Sequence, residues 1–226
     1  MHEIRPSEFV NYHHVQELDG LEMLKASYQH TQFSKHTHEG YCIGLIDEGA
    51  QSFLRTGNQH IAPQGDIILV NADEVHTGSS AVETGWCYRA IYPTPEMIQE
   101  VSQDFFHEAG TMPWFPQAVV HDEGLAEQLN LLFDLLLQPK NTLFKQSLYI
   151  STLAYLLSRY NQSKKILKDL EIEERVLYAC RHTFGSRCID SGITPIMTAF
   201  LMGNNPETAL KNYTHQINLP KDLPII

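Results

Sequence analysis

Several features that are common in other classes of protein are scarce or missing in this sequence of 226 residues. No apolar run approaches the roughly 20 residues that a membrane-spanning helix needs. The stretch from Met1 to Glu8 has neither the apolar segment nor the cleavage site of a secretion signal. The four cysteines form no C-x-x-C pair and no regular spacing, which predicts reduced, packed thiols rather than disulfides. Together these absences predict a cytoplasmic protein with no membrane partner.

Positive charge is also scarce. Lysine and arginine together contribute 16 residues, whereas aspartate and glutamate contribute 27, and the formal net charge is -11 at pH 7. Affinity for nucleic acid depends largely on cationic side chains that neutralise phosphates. The charge balance therefore predicts weak or absent DNA binding by this chain. The hydrophobic content of 42% is nevertheless ample for a folded core.

The first part of the chain contains short strand patterns separated by turns. Residues 1–20 are polar and aperiodic, which predicts a mobile arm, and Thr56-Gly57-Asn58 predicts a hairpin turn. Strands this short, with turns between nearly all of them, favour an antiparallel β-barrel or sandwich over a βαβ fold. The predicted strands are Leu21–Tyr28, Tyr41–Asp47, Gln51–Arg55, Gln59–Ala62, Ile67–Val70 and Trp86–Tyr92.

The pattern becomes helical after Pro93. Thr94 is a candidate N-cap with Pro95 at the first helical position, and further helices are predicted to begin at Asp122 and Thr142. Leucines on one face of each of these two helices predict an antiparallel pair that packs against the β-structure or a second subunit. Short helices are expected in the remaining tail. The predicted fold class is therefore α+β, with an antiparallel barrel followed by antiparallel helices.

Three histidines stand out as candidate site residues. His36 and His38 are two apart, so on a strand they would share one face, and His76 would approach from a neighbouring loop. Three imidazoles suit zinc. A metal-dependent cupin enzyme would normally add a glutamate and another histidine, but those positions hold Cys42, Ile43 and Ile68. We therefore expect no metal or other cofactor, and a cupin-type metal-binding enzyme is the alternative.

The favoured interpretation of these histidines is a small-molecule pocket. Aromatic walls with a few polar groups are typical of ligand sites, although the histidines could instead cap strand ends and hydrogen-bond a loop. The predicted ligand-binding residues are His36, His38, Tyr41, His76, Trp86 and Tyr88, with Arg89 nearby.

A family resemblance supports this interpretation. The segments Phe33–Ile46, Gly49–Phe53, Ala62–Asp66, Asn71–Gly78 and Gly85–Pro93, in this order, closely resemble the N-terminal sensor domain of AraC-family transcription regulators. The resemblance covers about residues 8–170. It implies a cupin-type barrel that binds a small effector, assigned to residues 1–93, and helices that mediate homodimerisation, assigned to residues 94–162.

The rest of the chain departs from that family. Such regulators normally continue into a domain with two helix-turn-helix motifs. Glu171–Leu177 resembles the beginning of that domain, so residues 163–177 are assigned to a linker and a truncated helix-turn-helix domain. The resemblance then stops. The predicted function is the effector-binding and dimerisation part of an AraC-type regulator that lacks most of its DNA-binding domain, with no enzymatic activity.

Residues 178–226 instead resemble the C-terminal end of a tyrosine recombinase of the phage-integrase type. In that family Arg181 would bind the scissile phosphate and Tyr213 would be the nucleophile. Tyr178 stands where the family has a histidine, and Asn204 stands where the family has a histidine or a tryptophan. Arg181 and Tyr213 are therefore expected to be inactive in a fragment, and a remnant recombinase is the third interpretation, after the regulator and the cupin-type enzyme.

Overall fold

The computed structural model describes residues 8–106 and 112–162, together with residues 188, 192–194 and 197. The named elements lie within residues 1–174, which form one unit. A short 3-10 turn spans Gln16–Leu18. The strands are β1 Phe9–Val15, β2 Leu21–Tyr28, β3 Phe33–His36, β4 Cys42–Arg55, β5 Asn58–Pro63, β6 Ile67–Val70, β7 His76–Ser80, β8 Trp86–Tyr92 and β9 Val119–Val120; the α-helices are α1 Pro95–Phe106, α2 Glu123–Leu136 and α3 Thr142–Tyr160.

All strand pairs are antiparallel and form two layers that share β4. The first layer has the order β1-β2-β8-β4-β6-β9. In the second layer, β5 and β7 pair with the C-terminal part of β4, and β3 pairs with β7. The sheet is not closed, since β1, β9, β5 and β3 each pair on one side. The predicted α+β class, with antiparallel β-structure followed by helices, is confirmed.

The long strand β4 differs from the prediction of two strands, Tyr41–Asp47 and Gln51–Arg55. Glu48-Gly49 is not a turn but a bend within one continuous strand. The pairing of β4 with β8 shifts register between Ile46 and Glu48, and Gly49 has a φ of 71°. A bulge of this kind increases the local twist of the strand, so that one strand can run from the first layer into the second.

The prediction of a mobile arm over residues 1–20 is wrong for the described part of that segment. Phe9–Val15 forms β1 and pairs with β2 along its whole length. The carboxylate of Glu8 accepts hydrogen bonds from the backbone N–H groups of Gln29, His30 and Thr31, which fixes the beginning of the strand. An edge strand that is mostly exposed needs no apolar alternation, so the sequence pattern gave no strand signal.

Local signals predicted the helices well. The Thr94 hydroxyl accepts a hydrogen bond from Met97 N at 3.3 Å as α1 begins at Pro95. Asp122 is the N-cap of α2, where its carboxylate accepts a hydrogen bond from Leu125 N at 3.0 Å. Helix α3 begins at Thr142, as predicted. Side-chain caps of this kind satisfy backbone donors at the first turn.

Helices α2 and α3 form the predicted antiparallel pair. Asp122, before α2, accepts a hydrogen bond from the Tyr160 hydroxyl at the end of α3, at 2.6 Å. Further along, Gln128 donates to Ser151. Among the described residues, none of the helices has the length and apolar character needed to cross a membrane. The predicted leucine faces are largely buried: Leu125, Leu129, Leu132, Phe133, Leu136, Leu153, Leu156 and Leu157.

The helices pack on the outer face of the first layer. Arg89 on β8 points to this side, where it contacts Asp47 on β4 and reaches Asn130 and Asp134 on α2. Because side chains alternate along a strand, Tyr88 and Ala90 point the other way, into the space between the two layers. Apart from residues 188, 192–194 and 197, residues 163–226 lie outside the described part of the chain, and so do the predictions for the truncated helix-turn-helix domain, Arg181 and Tyr213.

Candidate ligand cavity and histidine cluster

A cavity lies between the two β-layers and is lined by residues from both. It offers about 80 Å³ to the centre of a water molecule. One buried water needs only about 10–15 Å³ on this measure, so a small ligand or several waters would fit. The wall from the first layer includes Leu24, Tyr28, Cys42, Gly44, Tyr88 and Tyr92, and the wall from the second layer includes Phe33, Gln51, Phe53, Thr77 and Gly78.

Three histidines line one part of this cavity. His36, the last residue of β3, lies directly opposite His76, the first residue of β7, in the antiparallel register. Their ring centroids are 4.3 Å apart, and the His38 ring lies 5.0 Å from each of them. His38 follows the end of β3 rather than sharing a strand with His36, and His76 lies on a strand rather than in a loop. The structure nevertheless brings the three imidazoles together.

Backbone carbonyls orient two of the three rings. The Nδ1 atoms of His36 and His76 lie 2.7 Å from Ser34 O and 2.9 Å from Glu74 O, respectively. A carbonyl oxygen only accepts hydrogen bonds, so each Nδ1 must carry the proton. In a neutral ring this leaves the Nε2 lone pair free. The ring nitrogens of His38 form no hydrogen bond with any residue that the structure describes.

Burial keeps part of the cluster neutral. It is the main reason that the pKa of His38 falls to about 4, and the neighbouring His76 and His36 lower it further. Burial also lowers the pKa of His76, although the hydrogen bond with Glu74 opposes that change. At neutral pH these imidazoles therefore offer unprotonated nitrogens, which can accept hydrogen bonds or bind a metal ion.

The other polar groups of the cavity suit binding better than nucleophilic chemistry. Burial raises the pKa of the Cys42 thiol to about 12, although a hydrogen bond with Tyr92 opposes the change. A thiol this weakly acidic is a poor nucleophile at neutral pH. Burial also raises the pKa of the Tyr88 and Tyr92 hydroxyls, which therefore stay protonated. The buried Oε1 atom of Gln51 has no hydrogen-bond partner among the described residues, so it is available to a ligand donor.

A buried polar network holds the segment that precedes His76. The Arg55 guanidinium donates to the Glu74 carboxylate at 2.6 Å, and the Asn71 side chain donates to the same oxygen at 2.8 Å. Both Arg55 and Asn71 also donate to the Phe115 carbonyl. The backbone oxygen of Glu74 accepts the hydrogen bond from His76 Nδ1. The network that holds Glu74 therefore also fixes the position of the His76 ring.

Some of the predicted site residues lie away from the cavity wall. The Tyr41 hydroxyl donates to Pro113 O at 2.6 Å and its ring packs against Phe115, and Arg89 faces the helices. Trp86 is buried and packs against Tyr28, at 5.1 Å between ring centroids. Tyr88 lines the cavity with the three histidines.

The cavity wall also contains residues outside the predicted set. Tyr92 lies four residues after Tyr88 on β8, so strand alternation alone would have placed both rings on one face. Leu24 and Tyr28 are likewise four residues apart on β2, so strand alternation would also have placed their side chains on one face. Phe33 and Gln51 had no such local signal, since their position depends on the pairing of distant strands in the second layer.

Two antiparallel layers that enclose a small cavity of aromatic, amide and imidazole groups define a β-structured domain of the ligand-binding class. A family model described as an AraC-like ligand binding domain matches residues 20–157, well over half of the sequence. The chain therefore belongs to the family of proteins with an AraC-like ligand-binding domain.

Individual relatives were also found. An uncharacterized HTH-type transcriptional regulator of Bacillus subtilis (strain 168), YbfI, is 25% identical over 149 residues, which are 66% of this chain and 54% of the relative. The chain thus spans about half the length of this curated relative. Similar solved structures include an RmlC-like cupin with a double-stranded β-helix fold from Methanocaldococcus jannaschii, with 11% identity, a TM-score of 0.35 and coverage of 42% of this chain and 86% of that chain. A variant of oxalate decarboxylase from Bacillus subtilis has 15% identity, a TM-score of 0.34 and coverage of 40% and 26%.

Proposed function

We propose that this protein senses a small-molecule effector in the cavity between its two β-layers, as the effector-binding part of an AraC-type transcription regulator. The observation that carries the proposal is the cavity itself, with aromatic walls and few polar groups, inside the segment that matches the ligand-binding family. A binding site needs this combination of apolar surface and orienting polar atoms. The tyrosine hydroxyls and the free oxygen of Gln51 favour a small, partly apolar effector with hydrogen-bonding groups.

A sensor fits the site better than a metalloenzyme does. The positions where a metal-dependent cupin enzyme would have its glutamate and last histidine hold Cys42, Ile43 and Ile68. Among the described residues, no carboxylate joins the group formed by the three histidines. The carboxylate of Glu74, two residues before His76, accepts hydrogen bonds from Arg55 and Asn71 instead. The proposed role is therefore recognition rather than catalysis.

A ligand screen, repeated on a variant whose cavity is partly filled by a larger side chain, tests the proposed function. A panel of sugars, amino acids and aromatic acids is screened for compounds that raise the melting temperature of the protein. A compound present at 100 times its Kd stabilises by about 2.7 kcal/mol, which corresponds to a rise of about 5–10 °C for a chain of this size. The buried Val70 lines the cavity, so Val70→Phe is expected to reduce that rise by at least half.

The matched control is Ile61→Phe, because Ile61 is exposed on β5 and lies outside the cavity wall. It should leave the ligand-induced rise unchanged. A compound that stabilises the wild type and the Val70→Phe variant equally would contradict the proposed site, as would a panel with no stabilising compound.

Homodimerisation through the helices is the second part of the proposal. The leucine faces of α2 and α3 are buried by packing within the chain, but other large apolar side chains on these helices remain exposed. These are Leu131 on α2 and Leu143, Phe144 and Ile150 on α3. Apolar groups gathered on one pair of helices are typical of protein interfaces, and the family resemblance implies dimerisation by this segment.

Replacing two of these residues tests the dimer. The wild-type protein is expected to elute with about twice the mass of the 25.8 kDa chain in size-exclusion chromatography with light scattering. Leu143 and Phe144 are 77% and 52% exposed, so Leu143→Glu with Phe144→Glu should leave the fold intact and shift the protein to monomers. Val82→Glu is the control, since Val82 is also exposed but lies between β7 and β8. A monomeric wild type, or a double variant that remains dimeric, would refute this part.

A further inference from the structure

We propose that His36, His38 and His76 together bind one divalent ion of the later first-row transition metals, such as Zn²⁺, at the edge of the effector cavity. The inference rests on the proposed function and adds a metal ion to its effector site. The ligand atoms of the three side chains already lie within 4.8 Å of one another. Imidazole nitrogens suit zinc, nickel and copper, whereas magnesium and calcium prefer oxygen ligands.

The geometry of the cluster needs little change to accept an ion. Nitrogens in a tetrahedral zinc site lie about 3.4 Å apart when each Zn–N distance is about 2.1 Å. The three ring nitrogens would therefore move together by only about 1 Å, which small side-chain rotations can provide. His38 lies outside the strands and its backbone oxygen accepts a hydrogen bond from Asp73 N at 2.8 Å, so rotation of its side chain would bring the ring to the ion.

Hydrogen bonds prepare two of the rings for this role. A ligating histidine almost always donates its other ring N–H to a carbonyl, a carboxylate or water, which fixes the tautomer and aims the free nitrogen at the metal. His36 and His76 donate from Nδ1 to Ser34 O and Glu74 O, so their Nε2 atoms are the free ones. The buried Arg55–Glu74 pair then holds the second of these carbonyls in place.

Three protein ligands would leave at least one coordination position for another group. All three rings line the effector cavity, so that position would face the space between the layers. Zinc sites with three protein ligands and an open position bind water or a further ligand there. An effector with an oxygen or nitrogen donor atom could therefore complete the shell of the ion.

Titration of the untagged chain of 226 residues with Zn²⁺, followed by isothermal calorimetry, tests the proposal. We expect one Zn²⁺ per chain and no comparable binding of Mg²⁺. His36→Ala and His38→Ala should each weaken Zn²⁺ binding by more than the roughly 10–100-fold that loss of an outer-shell partner costs. Loading with Co²⁺ gives a visible absorption band that reports nitrogen coordination, and the same two variants should lose it.

The control uses the pair His13 and His14, adjacent on the exposed strand β1. His13→Ala with His14→Ala should leave the stoichiometry and affinity for Zn²⁺ unchanged. The proposal is overturned if the wild type binds no stoichiometric Zn²⁺, if binding survives both His36→Ala and His38→Ala, or if the β1 variant abolishes it. Thermal unfolding of each metal-free variant verifies that the fold persists. Stabilisation by a panel compound without metal binding would overturn only the metal site and leave the proposed sensor function standing.

Discussion

Arg55→Ala is expected to lower the free energy of unfolding by about 3–5 kcal/mol, because the change leaves the buried Glu74 carboxylate without its cation. The Arg55 side chain is 1% exposed and that of Glu74 is 7% exposed, so water cannot compensate for the lost partner. The same substitution removes one of the two side-chain donors to the Phe115 carbonyl, which keeps the hydrogen bond from Asn71 at 3.0 Å.

Chemical denaturation with urea measures this effect. Arg159→Ala is the control, because Arg159 is 55% exposed and lies 3.7 Å from Asp122, and a surface pair of this kind contributes at most about 1 kcal/mol. The double change Arg55→Met with Glu74→Gln should cost less than Arg55→Ala alone, since it removes both charges. An Arg55→Ala variant as stable as Arg159→Ala would show that the buried network does not hold the fold.

Gly49→Ala is expected to destabilise the protein by at least about 4 kcal/mol, a size reached by few single substitutions. Gly49 has a φ of 71°, which L side chains rarely adopt, and a Cβ at this position would lie 2.0 Å from the carbonyl oxygen of Gly85. That contact is with backbone, so no side-chain rotation can relieve it. The bend in β4 joins the two layers, and the clash therefore acts on both walls of the cavity.

Gly57→Ala separates the clash from the backbone strain. Gly57 has a similar φ of 80° in the hairpin turn, but a Cβ added there would meet nothing within 4 Å. The strain alone costs roughly 1–2 kcal/mol. Urea unfolding of the two variants should therefore differ by at least about 2 kcal/mol. Equal destabilisation would mean that β4 bends without the close approach of Gly85.

The sequence predicted those parts of the fold that depend on neighbouring residues. Thr94 and Asp122 mark helix starts by their own side chains, and Thr56-Gly57 has positive φ at both positions, as a two-residue hairpin turn requires. The edge strand β1 was missed because its exposed residues need no apolar pattern. The predicted break between Tyr41–Asp47 and Gln51–Arg55 was wrong because a glycine that permits a bend and one that permits a chain reversal have the same sequence signal.

The candidate site was predicted only in part, for a related reason. His36 faces His76 through the pairing of strands that are distant in the sequence, and no local pattern encodes such a register. Tyr41 was selected as a pocket residue, but it precedes β4, and the alternation begins with Cys42 and Gly44 on the cavity side. An offset of one residue moves a side chain to the opposite face of a strand.

The most direct test of the central claim is to map an effector onto the two walls of the cavity by NMR. The ¹⁵N-labelled protein is titrated with the compound that most raises its melting temperature, and backbone amide shifts are followed. Gly44 on β4 and Gly78 on β7 lie on opposite layers and both line the cavity. We expect the largest shift changes at these two amides and their neighbours. Changes confined to α2, α3 or the outer face of the first layer would contradict an effector site between the layers.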